Sequence, residues 1–114
     1  MKMFLVRHGE VFNPKQIIYG KIPGYFLSDK GCKDIQNTAE KLSENDKKDF
    51  CITHFFNPVR YMGLLEIVKN EDNDLNKINQ LKEFCEVELG KGAIICNDTP
   101  GFLGNRVGVY AMQI

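Results

Sequence analysis

The stretches CITHFF (residues 51–56) and GLLEIV (residues 63–68) decide the fold of this 114-residue chain. Both are short apolar runs typical of buried strands. The first contains His54 and the second contains Glu66. A carboxylate inside an apolar strand is costly unless it is paired. The spacing allows His54 and Glu66 to meet across two adjacent backbone segments, where the carboxylate would hold the imidazole and stabilise its charged form.

Strands and helices alternate along the rest of the chain. Met3–Val6 and Ala93–Cys96 are the two further strand candidates. This alternation predicts an α/β fold with a small sheet of three or four strands and two or three helices. Three helices are expected, namely one capped by Ser28, one that runs from a cap at Asp74 to a stop at Gly90, and one that begins near Phe102.

Composition and charge exclude several classes of protein. Lysine plus arginine equals aspartate plus glutamate, 15 each, so no basic field predicts a nucleic-acid or anionic-membrane partner. No apolar run is long enough to span a bilayer, and the N-terminus lacks signal-peptide features, so a cytoplasmic location is expected. The cysteines show no metal-ligand spacing, which predicts buried free thiols and no metal: Cys32, Cys51, Cys85 and Cys96.

The run RHGE (residues 7–10) places an arginine and a histidine after an apolar stretch. Arg7 could grip a phosphoryl group with two parallel hydrogen bonds, and His8 could attack phosphorus and carry it covalently. With NP (13–14), IYG (18–20) and LSDKG (27–31), this run resembles the start of the histidine phosphatase, or phosphoglycerate-mutase-like, superfamily. The resemblance implies that His8 accepts the phosphoryl group and that Arg7 and Asn13 line its pocket. The late second histidine of that superfamily is absent.

The segment from Thr53 to Gln113 resembles the 3-hydroxyacyl-CoA dehydrogenase family. Four blocks in order carry the resemblance, namely THFFNP (53–58), LLEIV (64–68), LGKG (89–92) and DTPGFLGNR (98–106). The resemblance implies that His54 takes the proton of the substrate's 3-hydroxyl as hydride leaves for NAD, and that Glu66 orients His54. Asn105 would help to position the substrate or the histidine, and Asn57 would lie next to the reacting centre.

The dinucleotide-binding signature of nicotinamide enzymes is missing. GxGxxG at the start of a helix, followed by an acidic residue for the ribose, occurs nowhere in the sequence. NAD is therefore implied by the resemblance while its binding motif is absent. We expect the chain to be inactive alone.

Together these features predict a chimeric or truncated chain of two parts. Residues 1–48 form a histidine-phosphatase-like N-terminal fragment, and residues 51–114 form a 3-hydroxyacyl-CoA dehydrogenase-like fragment with an incomplete Rossmann-like architecture. The predicted function is NAD-dependent oxidation of a 3-hydroxyacyl-CoA in fatty-acid β-oxidation. The alternatives are phosphoryl transfer through His8 and a non-catalytic chimeric fragment. An acyl-CoA is the expected substrate, and unpaired strand edges predict self-association.

Overall fold

The computed structural model describes residues 3–17, 24–42, 46 and 48–113. It divides the chain into two compact units, Met1–Ser43 and Glu44–Ile114. The first unit contains helix α1, Asp29–Glu40. The described part of the second unit contains strands and helices in this order: β1 Ile52–Phe55, β2 Leu64–Lys69, α2 Leu75–Val87, β3 Gly92–Asn97 and α3 Gly104–Ala111.

The strands of the second unit form one mixed sheet in the order β1-β2-β3. β1 runs antiparallel to β2, and β2 runs parallel to β3, with α2 as the connection that parallel strands require. The register places His54 opposite Glu66, and Glu66 beside Ile94. The predicted α/β fold with a sheet of three or four strands is therefore confirmed, with three strands among the described residues.

The core lies between the sheet and α2. Because side chains alternate along a strand, Leu65 and Ile67 share one face of β2, while Glu66 points to the other. Leu65 and Ile67 are fully buried and pack with residues of α2 and β3, namely Ile78, Cys85 and Ala93. β2 is the central strand, and the whole stretch from Leu65 to Val68 is buried. This strand therefore holds Glu66 in a position that is shielded from water.

The predicted limits of α2 are confirmed. The Asp74 carboxylate accepts a hydrogen bond from the backbone N–H of Asn76 at 2.8 Å. After the helix, Gly90 adopts a φ of 62°, a left-handed conformation that suits glycine. This turn lets the N–H of Lys91 donate to the carbonyl of Cys85. These two local signals fix where the crossover between β2 and β3 begins and ends.

The first unit is organised around the start of α1. The Ser28 hydroxyl accepts from the N–H of Gly31 at 3.0 Å, which confirms the predicted cap, and it donates to the Glu10 carboxylate at 2.8 Å. The backbones of residues 9–10 and Gly31 approach closely. A Cβ at position 31 would lie 2.2 Å from the carbonyl oxygen of Glu10, so glycine is required there.

The predicted strand at Met3–Val6 is wrong. Residues 3–10 contain no strand, and the four apolar side chains are 38–84% exposed. An apolar run becomes a strand only when another strand pairs with it, and none of the strands in the described residues is paired with residues 3–6. The prediction that all four cysteines are buried is also wrong, since Cys32 is exposed on α1. The IYG block at residues 18–20 lies outside the described residues.

Within the described ranges, no helix combines the length and the apolar character needed to cross a membrane.

Candidate active site

The structure brings His54 and Glu66 together at the centre of the sheet. They occupy directly opposed positions on β1 and β2, and His54 Nδ1 lies 2.7 Å from Glu66 Oε2. The Glu66 side chain is 1% exposed, whereas that of His54 is 31% exposed. The carboxylate is therefore held inside the protein, while the imidazole reaches solvent and can meet a ligand.

The second carboxylate oxygen of Glu66 is held by the backbone at the start of α3. Glu66 Oε1 accepts from the N–H of Leu103 at 2.8 Å and from the N–H of Gly104 at 2.6 Å. The first N–H groups of a helix have no partner within the helix, and Leu103 supplies no side-chain cap. Glu66 thus caps α3 from a neighbouring strand, and the positive end of the helix dipole faces its charge.

These contacts decide the charge of Glu66. Burial alone would raise its pKa, but hydrogen bonds from Gly104, His54 and Leu103 outweigh burial and lower the pKa from its ordinary value. The carboxylate is therefore ionised near neutral pH and can only accept, so His54 Nδ1 carries a proton and donates it. The lone pair of the neutral imidazole then lies on Nε2. On β3, burial and the nearby Glu66 charge raise the pKa of the Cys96 thiol.

The lowered pKa of Glu66 predicts acid sensitivity. A group whose pKa is lower in the folded chain stabilises the fold above its unfolded pKa, here about 4.5, and this stability is lost as pH falls through the folded pKa. We expect the stability advantage of the wild-type chain over Glu66→Gln to shrink as pH falls from about 7 to about 3. Urea unfolding at steps across this range measures it. Glu83 is exposed, so Glu83→Gln is the control variant. The prediction would be contradicted if the free energies of unfolding of wild type and Glu66→Gln, plotted against pH, ran parallel.

Two aromatic rings flank the imidazole. The ring centroid of Phe56 lies 4.8 Å from that of His54, and the centroid of Phe102 lies 5.4 Å away, both with edge-to-face geometry. Phe102 follows Gly101, and both have positive φ, 48° and 80° respectively. This left-handed turn directs the chain so that α3 starts beside Glu66. Sequence reasoning assigned no site role to Phe102, although the turn-forming DTPG run before it marked the place.

The predicted amide residues lie on the segments that follow β1 and begin α3. Asn105 is half-buried in the first turn of α3, and Asn57 is exposed two residues after β1 ends. Among the described residues, neither side chain hydrogen-bonds to His54 or Glu66. Their predicted roles with a substrate stay predictions.

The residues of the predicted phosphate site lie in the first unit. Arg7 and His8 are exposed, and His8 Nδ1 donates to the carbonyl of Gly9 at 2.8 Å. The Asn13 side chain is engaged with its own loop, because it donates to the carbonyl of Ile17 at 2.8 Å and accepts from the Ile17 N–H at 3.2 Å. The structure therefore does not direct Asn13 towards a shared anion pocket with Arg7 and His8.

Within the described residues, the turn between β2 and α2 does not fit a dinucleotide. In the β2–α2–β3 unit, the strand-to-helix turn is where a pyrophosphate would meet a helix N-terminus. That turn, residues 70–74, has no glycine and contains three carboxylates, and Asp74 already occupies the N–H of Asn76. A negatively charged turn repels a pyrophosphate. No group of three or more metal-ligating side chains is assembled within the described residues either.

Comparison with known proteins places the chain among dehydrogenases. Residues 26–99 match the family model described as 3-hydroxyacyl-CoA dehydrogenase, NAD binding domain. This match runs from the segment before α1 to the end of β3, and it crosses the boundary predicted between residues 48 and 51. The comparisons give no support for a histidine phosphatase segment.

Individual relatives agree with this match. The "Putative fatty acid oxidation complex trifunctional enzyme" of Rickettsia felis is 38% identical over 109 residues, 96% of this chain and 15% of that protein. The mitochondrial hydroxyacyl-coenzyme A dehydrogenase of Mus musculus is 38% identical over 82 residues, 72% of this chain and 25% of that protein.

A solved structure shows the same likeness. The crystal structure of FadB2 from M. tuberculosis aligns with a TM-score of 0.50 and 33% identity, over 55% of this chain and 24% of that one. The chain thus spans a quarter or less of the length of these relatives. From the family match and these identities, the chain belongs to the 3-hydroxyacyl-CoA dehydrogenase family, to its NAD binding domain.

Proposed function

We propose that the chain carries the proton-transfer half of a 3-hydroxyacyl-CoA dehydrogenase site. One observation carries the proposal, namely the 2.7 Å contact between the half-exposed His54 and the fully buried, ionised Glu66. A buried carboxylate that orients an imidazole is the arrangement a general base requires, because it fixes the tautomer and stabilises the imidazolium that forms. Membership of the dehydrogenase family supplies the reaction class.

The reaction class assigns a step to each residue of the pair. Oxidation of a secondary alcohol removes a proton from oxygen and a hydride from carbon. His54 Nε2 takes the hydroxyl proton, and Glu66 stabilises the resulting charge through Nδ1. The rings of Phe56 and Phe102 pack edge-to-face against the imidazole and restrict its orientation. Family membership points to NAD as the hydride acceptor, but the residues of this chain do not fit it, and we assign them no step in hydride transfer.

The substrate follows from the same membership. We propose a 3-hydroxyacyl-CoA of fatty-acid β-oxidation, with Asn105 and Asn57 contacting it near His54. Asn105 follows Gly104, whose N–H binds Glu66, and Asn57 follows Phe56, whose ring packs against His54. An amide can donate to a thioester carbonyl and accept from a hydroxyl, which suits both groups of this substrate.

A graft into a complete relative tests the proposal. Residues 51–106 of this chain would replace the corresponding segment of the Mus musculus enzyme, and NADH formation from 3-hydroxybutyryl-CoA would be followed by absorbance. We expect the graft to turn over and His54→Ala within it to lose about 100-fold or more in kcat. Glu83→Ala in the graft is the control and should keep its activity. A folded graft whose activity survives His54→Ala would overturn the proposal.

The isolated chain should give no NADH under the same conditions, since its residues do not fit the dinucleotide. We propose that it is inactive alone for this reason. Turnover by the 114-residue chain itself would refute this part while leaving the role of His54 open to the graft experiment.

The described residues give no support to the alternative function, phosphoryl transfer through His8. No contact in the described residues joins Arg7, His8 and Asn13 into one site, and Asn13 is engaged by Ile17.

A further inference from the structure

Gly104 lies where α3 comes closest to the acid–base pair. A Cβ at this position would lie 2.6 Å from Cζ and 3.2 Å from Cε1 of Phe56, and 3.5 Å from Oε1 of Glu66. The first distance is shorter than real Cβ atoms show, so either the ring or the helix would have to move. Glycine is a poor helix former, and the backbone of residue 104 is helical, so its φ does not explain glycine here. The close approach explains it.

The same side chain that blocks a Cβ also contacts the imidazole. The Phe56 ring lies between Gly104 on one side and His54 on another, with its centroid 4.8 Å from the centroid of His54. Glu66 in turn joins His54 to the N–H groups of Leu103 and Gly104. A displacement at residue 104 is therefore transmitted to His54 by two routes, through the Phe56 ring and through the Glu66 carboxylate.

We propose that Gly104 is a positioning residue for the His54–Glu66 pair: its missing side chain lets the start of α3 approach closely enough for two backbone N–H groups to hold Glu66, while Phe56 fills the remaining space against His54. The proposal rests on the proposed function for its relevance to catalysis. The geometry itself is tested without turnover, so failure of one does not imply failure of the other.

The first experiment compares two glycines of the same helix. Gly104→Ala adds a methyl group at the close approach, and Gly108→Ala adds it where nothing lies within 4 Å. Nitrogen-15 NMR of the imidazoles measures which ring nitrogen carries the proton. The chain has two histidines, so His8 is an internal control. We expect Gly104→Ala to shift both ring nitrogens of His54 away from the Nδ1–H tautomer and to leave those of His8 unchanged. Gly108→Ala should change neither histidine.

A second variant separates positioning from a general loss of helix. Phe56→Leu removes the ring atoms that a Cβ at residue 104 would meet. The double variant Phe56→Leu, Gly104→Ala should therefore recover most of the Nδ1–H tautomer of His54 that Gly104→Ala alone loses. Absence of rescue would show that the added methyl acts elsewhere and would overturn the steric route. Unchanged His54 nitrogens in folded Gly104→Ala would overturn the proposal as a whole.

A measurement on the wild-type chain keeps the proposal testable if Gly104→Ala does not fold. The amide protons of Leu103 and Gly104 donate to Glu66, so their chemical shifts should follow the protonation of this carboxylate as pH falls. The amide proton of Met112, which donates to the carbonyl of Gly108 at the far end of α3, should not follow it. Leu103 and Gly104 amide shifts that stay constant through the titration of Glu66 would overturn the proposal.

Discussion

Replacing Glu66 by alanine should lower the free energy of unfolding of the second unit by about 3 kcal/mol. The carboxylate is 1% exposed and is hydrogen-bonded on both oxygens. Its removal leaves the N–H groups of Leu103 and Gly104 without their acceptor and leaves His54 without its partner. Breaking a buried pair in this way costs more than the pair contributes, because the remaining polar groups stay out of water.

Urea unfolding at neutral pH measures this loss, with Glu83→Ala as the matched control. Glu83 is an exposed glutamate on α2, and its replacement should change stability by less than about 0.5 kcal/mol. Glu66→Gln should fall between wild type and Glu66→Ala, since its amide oxygen can still accept from the start of α3. A Glu66→Ala variant as stable as the Glu83→Ala control would show that the carboxylate does not hold α3.

Replacing Ile67 by alanine should lower the stability of the same unit by about 3 kcal/mol, within the range for truncating a buried aliphatic side chain. Ile67 is 0% exposed at the centre of β2 and packs within the core beneath α2. This loss has two parts, namely the hydrophobic free energy of the removed methylene and methyl groups and the cost of the cavity that they leave. Small domains have total stabilities of about 5 kcal/mol or slightly more, so this single change should leave the fold marginal.

Ile94→Ala on the neighbouring strand is the control for this prediction. Ile94 lies beside Glu66 in the register and is 40% exposed, so its truncation creates no closed cavity and should cost about 1 kcal/mol. Urea unfolding compares both variants with wild type, and one slope of unfolding free energy against urea concentration is used for all three chains. Equal losses for Ile67→Ala and Ile94→Ala would mean that the core does not lie beneath α2.

Local signals in the sequence predicted much of the second unit. Apolar runs gave the three strands, and Asp74 and Gly90 marked the limits of α2. The contact between His54 and Glu66 was also predictable, because an unpaired carboxylate in an apolar strand is too costly to leave without a partner. These features depend on residues close in sequence or on side-chain chemistry that a sequence displays directly.

The first unit shows where such signals fail. Met3–Val6 has the composition of a strand, yet strand formation needs a partner, which composition does not provide. The role of Asn13 in a phosphate pocket, which the resemblance implies, stays a prediction; in the structure its side chain is hydrogen-bonded to the backbone of Ile17. The boundary between residues 48 and 51 stays a prediction, and the family match from residue 26 to residue 99 crosses it.

The sequence by itself determined the α/β class, the caps of α1 and α2 and the pairing of His54 with Glu66, because each follows from local propensity or from the cost of burying a charge. Only the tertiary structure decided what holds that pair in place. The N–H groups of Leu103 and Gly104 that bind Glu66 belong to the backbone and leave no side-chain signature. The close approach at Gly104 and the position of Phe102 against His54 depend on how α3 packs on the sheet, which is set by contacts between residues distant in sequence.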